Sequence, residues 1–136
     1  MTVTKPTFHI EGLNFFTLEE FFDHFGHSLG TWPWGKNLDA FNDVLRGGFG
    51  TPDEGFILRW HNHEISKHRL GYEETVRQLQ MRLGRCLPTN RDHVAKELDA
   101  ALRHEGPTVF DWLVEIISAH CPGGDEQENN IQLILQ

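Results

Sequence analysis

The order of apolar and polar positions along the chain predicts strands separated by helices. Short apolar runs between turn residues are typical of strands, whereas apolar residues spaced at i, i+3, i+4 and i+7 are typical of helices. The predicted strands are residues 7–10, 56–60 and 131–135. The second run is nearly continuous in its apolar character, which predicts a strand buried on both faces. This order of elements favours a small α/β fold with a parallel three-stranded sheet and right-handed crossovers.

The helical segments are marked by end signals as well as by periodicity. Thr17 and Glu20 have the spacing of a capping box, which predicts a helix that runs to about Leu29. Asn37 is a predicted N-cap of a shorter helix that ends at the glycines 47 and 48. The remaining helices are predicted at residues 61–70, 73–85, 91–104 and 108–117, and Thr108 is a candidate N-cap of the last one.

The short helix after the predicted N-cap has an apolar side and an acidic side. Leu38, Phe41 and Leu45 fall on one face, whereas Asp39 and Asp43 fall one turn apart on another. Like charges at that spacing destabilise a helix by roughly 0.2–0.5 kcal/mol. The helix dipole favours Asp39 near the N-terminus and disfavours Asp43 near the C-terminus. Stability therefore explains Asp39 but not Asp43, and the pair predicts a surface for a cationic partner.

Composition and charge narrow the classes of partner. The chain has 136 residues, 38% of them hydrophobic, which fits one globular domain spanning residues 1–136. With 20 acidic against 12 basic residues the formal net charge is −8, which disfavours nucleic acid and anionic membranes and favours a basic partner. An acidic surface that only keeps a protein soluble explains the same charge.

The termini and the cysteines predict a cytoplasmic protein. Residues 1–5 are followed by Pro6 and a strand rather than by an apolar run, so no signal peptide is expected. No segment approaches the ~20 apolar residues of a membrane span. Cys86 and Cys121 lie far apart in sequence and form no metal or redox motif, as expected of reduced thiols.

The nine histidines suggest a metal-dependent hydrolase as an alternative. His61, Glu64 and His68 have the spacing i, i+3, i+7 on one predicted helix face and could hold a metal ion. A solvated polar helix face explains the same spacing, and no further catalytic pattern accompanies it. His9, in the first strand, is predicted to be a hydrogen-bonded core histidine. Nucleophile and phosphate-binding motifs are absent from the sequence, so no enzymatic activity, cofactor or metal is expected.

The segment that contains the acidic helix resembles the signature of the barstar family, small intracellular inhibitors of secreted ribonucleases. The matching stretch is Trp34-Gly35-Lys36-Asn37-Leu38-Asp39-Ala40-Phe41-Asn42-Asp43-Val44-Leu45. The second strand with its following helix, and the closing helix, loop and strand, also resemble the family. The resemblance implies a three-stranded parallel sheet packed with helices, with residues 72–106 as an additional helical insertion.

The resemblance also implies a mechanism, in which the acidic helix and the preceding loop plug the active site of a basic ribonuclease. A carboxylate can replace a substrate phosphate among the cations of such a site. By this resemblance Asp43 is the main phosphate mimic, Asp39 its companion and Glu115 a further acidic contact. The residues expected to bind the partner are Trp32, Trp34, Asn37, Asp39, Asn42, Asp43, Arg46 and Glu115.

Several aromatic positions of the family are changed. Pro33, Asn42 and Gly48 stand where the family often has aromatic side chains. Trp32 and Trp34 are expected to supply anchors from different positions. The acidic chemistry is thus retained while the expected target surface is altered.

Two binding hypotheses follow from this pattern. The first is an inhibitor of a basic ribonuclease or ribonuclease-type toxin. The second is a regulatory binding module on the same fold with a non-nuclease partner, which the changed aromatic positions keep open. Arg46 also departs from the family pattern, because it adds positive charge beside Asp43. The insertion at 72–106 either contacts the partner or is a structural elaboration, because long insertions are tolerated thermodynamically.

Overall fold

A parallel three-stranded sheet forms the centre of the fold. The computed structural model describes residues 5–52 and 54–136. The strands are β1 Thr7–Glu11, β2 Ile57–His61 and β3 Gln132–Leu135, in the order β1-β2-β3. Both pairings are parallel, with Ile10 beside Trp60 and Leu58 beside Leu133. The predicted α/β class and the parallel sheet are confirmed.

Six α-helices surround this sheet in the described part of the chain. They are α1 Leu18–Leu29, α2 Leu38–Arg46, α3 His63–Arg69, α4 Tyr72–Leu83, α5 Arg91–Leu102 and α6 Val109–Ala119. Short 3-10 turns lie at Gly12–Asn14, Pro88–Asn90 and Gln127–Asn129. None of the described helices combines the length and the apolar character that crossing a membrane requires. The prediction about a signal peptide rests mostly on residues 1–4, which lie outside the described residues.

The helix starts follow from local hydrogen bonds. The capping box of Thr17 and Glu20 is present in both directions at the start of α1. A second capping box joins Thr108 to Asp111 at the start of α6. In each case the side chains satisfy backbone N–H groups that have no partner inside the helix. The predicted caps at Thr17 and Thr108 are therefore confirmed.

An aromatic core joins α1, α2 and α6 to the sheet. Phe41 of α2 packs edge-on against Phe25 of α1, with ring centroids 4.9 Å apart. Trp60 of β2 packs against Phe21 at 5.3 Å and against Phe110 of α6 at 5.2 Å. All these rings are buried, and such pairs contribute about 0.5–1.5 kcal/mol beyond area burial. This core fixes α2 against the rest of the fold.

The prediction that β2 is buried on both faces is wrong. Leu58 and Trp60 are buried, but Ile57, Arg59 and His61 are only half-buried. Because side chains alternate along a strand, the odd-numbered positions of β2 share the opposite face. The nearly continuous apolar run is interrupted by Arg59, which belongs to this second face.

The predictions for the histidines near β2 also need correction. His9 is exposed and not in the core; its Nδ1 lies 2.8 Å from Nε2 of His61 on the neighbouring strand. His61 ends β2, and Asn62 turns the chain in the left-handed region with φ 55° before α3 begins. His61, Glu64 and His68 therefore do not share a helix face. Within residues 5–52 and 54–136, no group of three or more His, Cys, Asp or Glu side chains is arranged to hold a metal ion.

Candidate partner-binding surface

Helix α2 presents the two predicted carboxylates to solvent. The Asn37 side chain accepts from the backbone N–H of Ala40 at 2.8 Å, which caps the helix as predicted. Phe41 and its neighbours on the inner face are buried. Asp39 and Asp43 are exposed on the outer face. The helix is thus anchored by its apolar side, which leaves its acidic side available for binding.

Asp43 is one end of an ion-pair chain at the C-terminus of α2. Arg46 Nη1 donates to Asp43 Oδ1 at 2.9 Å, and Arg46 Nε donates to Glu126 Oε1. The bond from Arg46 is the main reason that the pKa of Glu126 lies below its ordinary value of 4.5. The Asp43 side chain remains 55% exposed. Arg46 therefore ties α2 to the segment after α6, while Asp43 stays accessible to a second cation.

Asn42 points inward and contacts a buried histidine. Its Oδ1 lies 2.6 Å from Nε2 of His120, and Nδ1 of His120 lies 2.7 Å from Oδ1 of Asn129. His120 is fully buried, so its ring needs both polar partners. One imidazole thus bridges α2 to the segment that follows α6. No sequence pattern marks His120, because Asn42 lies 78 residues away in the chain.

The two predicted aromatic anchors lie in different environments. Trp32 is 62% exposed, and its backbone N–H donates to the carbonyl of Phe49 at 2.7 Å. Trp34 is half-buried and packs edge-on against Phe22 of α1, with ring centroids 5.3 Å apart. An exposed indole on an ordered backbone can fill a pocket of a partner, whereas Trp34 extends the core.

A groove of about 900 Å³ lies beside the N-terminal end of α2. Asp39 of α2 and Glu115 of α6 both line it, and both are exposed. The fold therefore brings together two carboxylates that are far apart in sequence. Asp43 and Trp32 lie outside this groove. Helix α4 and its C-terminal flank supply further lining residues, which are Gln78, Arg82, Arg85 and Cys86.

Helix α4 is fixed in place because it caps two other helices. The backbone N–H of Leu18, at the start of α1, donates to Glu74 Oε2 at 2.8 Å. The backbone N–H of Val109, at the start of α6, donates to Thr75 Oγ1 at 2.9 Å. The first N–H groups of a helix have no partner within that helix, so α4 satisfies a free donor in each. Glu74 and Thr75 are both buried.

An ion-pair network adds to this attachment. Arg77 Nε donates to Glu74 Oε1 at 2.6 Å, and Arg77 also pairs with Glu19 of α1. Burial works against ionisation of Glu19, but its backbone hydrogen bond and the bonds from Arg77 and Gln78 together lower its pKa. The same carboxylates raise the pKa of Arg77. These polar contacts attach helix α4 to the first turn of α1.

The α4–α5 segment, residues 72–106, also has a small core of its own. Leu79 of α4 packs with Val94 and Ala101 of α5, and all three are buried. Trp112 of α6 contacts both this cluster and the main core. The predicted helices of residues 73–85 and 91–104 are confirmed as α4 and α5, each ending two residues earlier than predicted.

Comparison with known families supports the predicted resemblance. The family model described as Barstar (barnase inhibitor) matches residues 5–85, which is more than half of the chain. The match includes α2 and extends through α4, the first helix of the predicted insertion. Helix α6 and β3 lie beyond the matched range, yet β3 completes the sheet beside β2. No curated protein matches the chain.

Proposed function

Because the chain belongs to the barstar family, we propose that it is an intracellular inhibitor of a basic ribonuclease or ribonuclease-type toxin. In this proposal helix α2 blocks the active site of the nuclease, and the inhibitor works in the cytoplasm. One observation carries the proposal. Asp39 and Asp43 lie one turn apart on the exposed face of a helix whose other face is buried.

The proposed mechanism is electrostatic replacement of the substrate. A ribonuclease binds phosphates through cationic side chains, and a fixed carboxylate can accept the same charge-assisted hydrogen bonds. The net charge of −8 favours rapid encounter with a basic target and makes the rate of association sensitive to salt. Asp39 and Glu115 line one groove, so two helices offer carboxylates to the same part of the nuclease.

Arg46 is compatible with this role for Asp43. Arg46 contacts Glu126 as well as Asp43, so its charge keeps a partner when Asp43 turns to the nuclease. Asp43 and Arg46 are both about half exposed, and an ion pair of this kind is worth only about 0–1 kcal/mol. A well-placed cation of the nuclease can therefore displace Arg46 from Asp43.

The expected binding residues divide into two groups in this proposal. Contact with the nuclease is made by the exposed side chains, which are Trp32, Asp39, Asp43 and Glu115. The other four position this surface through contacts within the chain, namely Trp34, Asn37, Asn42 and Arg46. Trp32 acts as the aromatic anchor, which compensates for the family aromatics that Asn42 and Gly48 replace.

Affinity capture tests this proposal. The purified chain is immobilised and exposed to an extract of its host, and the retained protein is assayed for cleavage of RNA. We expect a ribonuclease to be retained by the wild-type chain and by the control variant Asp92→Ala, which removes an exposed carboxylate of α5. The Asp43→Ala variant is expected to retain less of it. Undiminished retention by Asp43→Ala would exclude the proposed role of Asp43.

A regulatory binding module with a non-nuclease partner is the second candidate. It is favoured by the pairing of Asp43 with Arg46 and by the inward direction of Asn42, which reduce the surface offered to a cationic site. The same capture distinguishes the two candidates, because a retained partner without ribonuclease activity supports the second.

A further inference from the structure

The groove beside α2 has a basic wall as well as an acidic one. Arg82, in the last turn of α4, and Arg85, just after it, line the same groove as Asp39 and Glu115. The guanidinium carbon of Arg82 lies 5.2 Å from the centroid of the Trp112 ring, so this side chain rests on an aromatic face. Arg85 is exposed. The α4–α5 segment thus changes the electrostatics of the proposed binding surface.

Two other charges in the groove form ion pairs within the chain, namely Glu19 with Arg77 and Lys36 with Asp23. A third, the Glu97 carboxylate, lies 3.0 Å from Nε2 of His93. Among the described residues, by contrast, neither Arg82 nor Arg85 forms an ion pair, and neither do Asp39 and Glu115. Four charges, two of each sign, are therefore free to meet a partner.

The two arginines would lower the affinity of the inhibitor for a target whose whole contact surface is basic. Like charges brought together across an interface reduce affinity. Helix α4 is held in position, because Glu74 and Thr75 accept hydrogen bonds from backbone N–H groups at the starts of α1 and α6. The guanidiniums therefore remain at the edge of the surface that the nuclease would cover.

We propose that Arg82 and Arg85 are selectivity determinants that bind a carboxylate of the partner ribonuclease next to its basic active site. This inference rests on the proposed function. A planar guanidinium matches a carboxylate in two hydrogen bonds, and the stacking of Arg82 on Trp112 holds it ready for that contact. A ribonuclease with a uniformly basic rim would be repelled, so the same pair selects one target and rejects another.

The test uses the ribonuclease retained by the wild-type chain in the capture experiment. Its dissociation constant is measured for Arg82→Glu/Arg85→Glu and for the control Lys67→Glu/Lys96→Glu. Both double variants change the net charge equally, and the control lysines are exposed on α3 and α5. We expect at least ~10-fold weaker binding for the arginine variant than for the control, mainly through faster dissociation.

Arg85→Glu alone is included because replacing Arg82 also removes its contact with Trp112. Circular dichroism confirms that each variant is folded before binding is measured. Binding by the arginine variants that equals the control, or is tighter, overturns the inference. If Asp43→Ala weakens binding while the arginine variants do not, the proposed function stands and only this inference fails. If the wild-type chain retains no ribonuclease, both fail.

Discussion

Helices α2 and α4 flank the same groove but are attached to the fold by different forces. The buried positions of α2 are apolar, namely Phe41, Val44 and Leu45. Those of α4 are mostly polar, namely Glu74, Thr75 and Gln78, with Leu79 as the exception. Helix α2 is attached to the fold by apolar side chains and not by its carboxylates, so Asp39 and Asp43 are available to bind a partner. Helix α4 is attached through charged and polar side chains, and Gln78 and Arg82 of this helix line the groove together with Arg85 just after it.

The largest expected effect comes from removing the apolar anchor of α2. Phe41→Ala should lower the free energy of unfolding by about 3–5 kcal/mol, because it removes a fully buried ring and leaves a cavity. Urea denaturation measures this loss. Leu87→Ala, at a side chain that is 69% exposed, serves as the control and should change stability by no more than ~0.5 kcal/mol. Similar losses for both variants would contradict the proposed anchoring of α2.

A smaller effect is expected from weakening the polar attachment of α4. Glu74→Gln keeps an acceptor for Leu18 N–H but loses the charge that Arg77 and Gln78 contact, so we expect a loss of about 1–3 kcal/mol. Glu73→Gln, an exposed neighbour, is the matched control for the same urea measurement. Equal stability of the two variants would show that α4 is not held by this carboxylate.

A polar contact between α1 and β1 also predicts that the stability of the fold depends on pH. Nε2 of His24 accepts from the backbone N–H of Glu11 at 2.9 Å, and burial lowers the pKa of His24 below 6.5. The unfolded chain then binds more protons than the folded one as pH falls from 6.5 through the lowered pKa, so stability declines over that interval. Thermal melts of wild type and His24→Gln at several pH values measure this decline. A decline of the same size in His24→Gln would exclude His24 as its source.

The smallest effect on stability is expected for the acidic face of α2. Asp43→Asn breaks an exposed pair with Arg46, so the free energy of unfolding should change by no more than ~1 kcal/mol. The same urea titration checks this value. A loss as large as that of Phe41→Ala would mean that Asp43 serves folding, which would remove the contrast between the two helices.

Features that depend on neighbours in sequence could be predicted. The caps at Thr17, Asn37 and Thr108 were identified because their partners lie three residues away. The same holds for the amphipathic pattern of α2 and for the order of strands and helices. The acidic face of the candidate site was therefore predicted from the sequence.

Features that depend on distant residues could not be predicted. Glu74 and Leu18 are separated by 56 residues, and Asn42 and His120 by 78, and no local pattern marks either contact. Trp32 and Trp34 are alike in sequence, but Trp34 packs on Phe22 of α1 whereas Trp32 is 62% exposed. The basic wall of the groove was missed for the same reason, because α4 reaches it only through tertiary packing.

The most direct test of the central claim is the inhibition constant against the captured ribonuclease. Asp39→Asn/Asp43→Asn is compared with Asp92→Asn/Asp99→Asn, which removes two exposed carboxylates from α5. The account predicts that the α2 variant inhibits cleavage of RNA at least ~30-fold more weakly than the control, because each lost carboxylate leaves a cation of the nuclease unpaired. Equal inhibition by the two variants would show that the acidic helix does not block the active site.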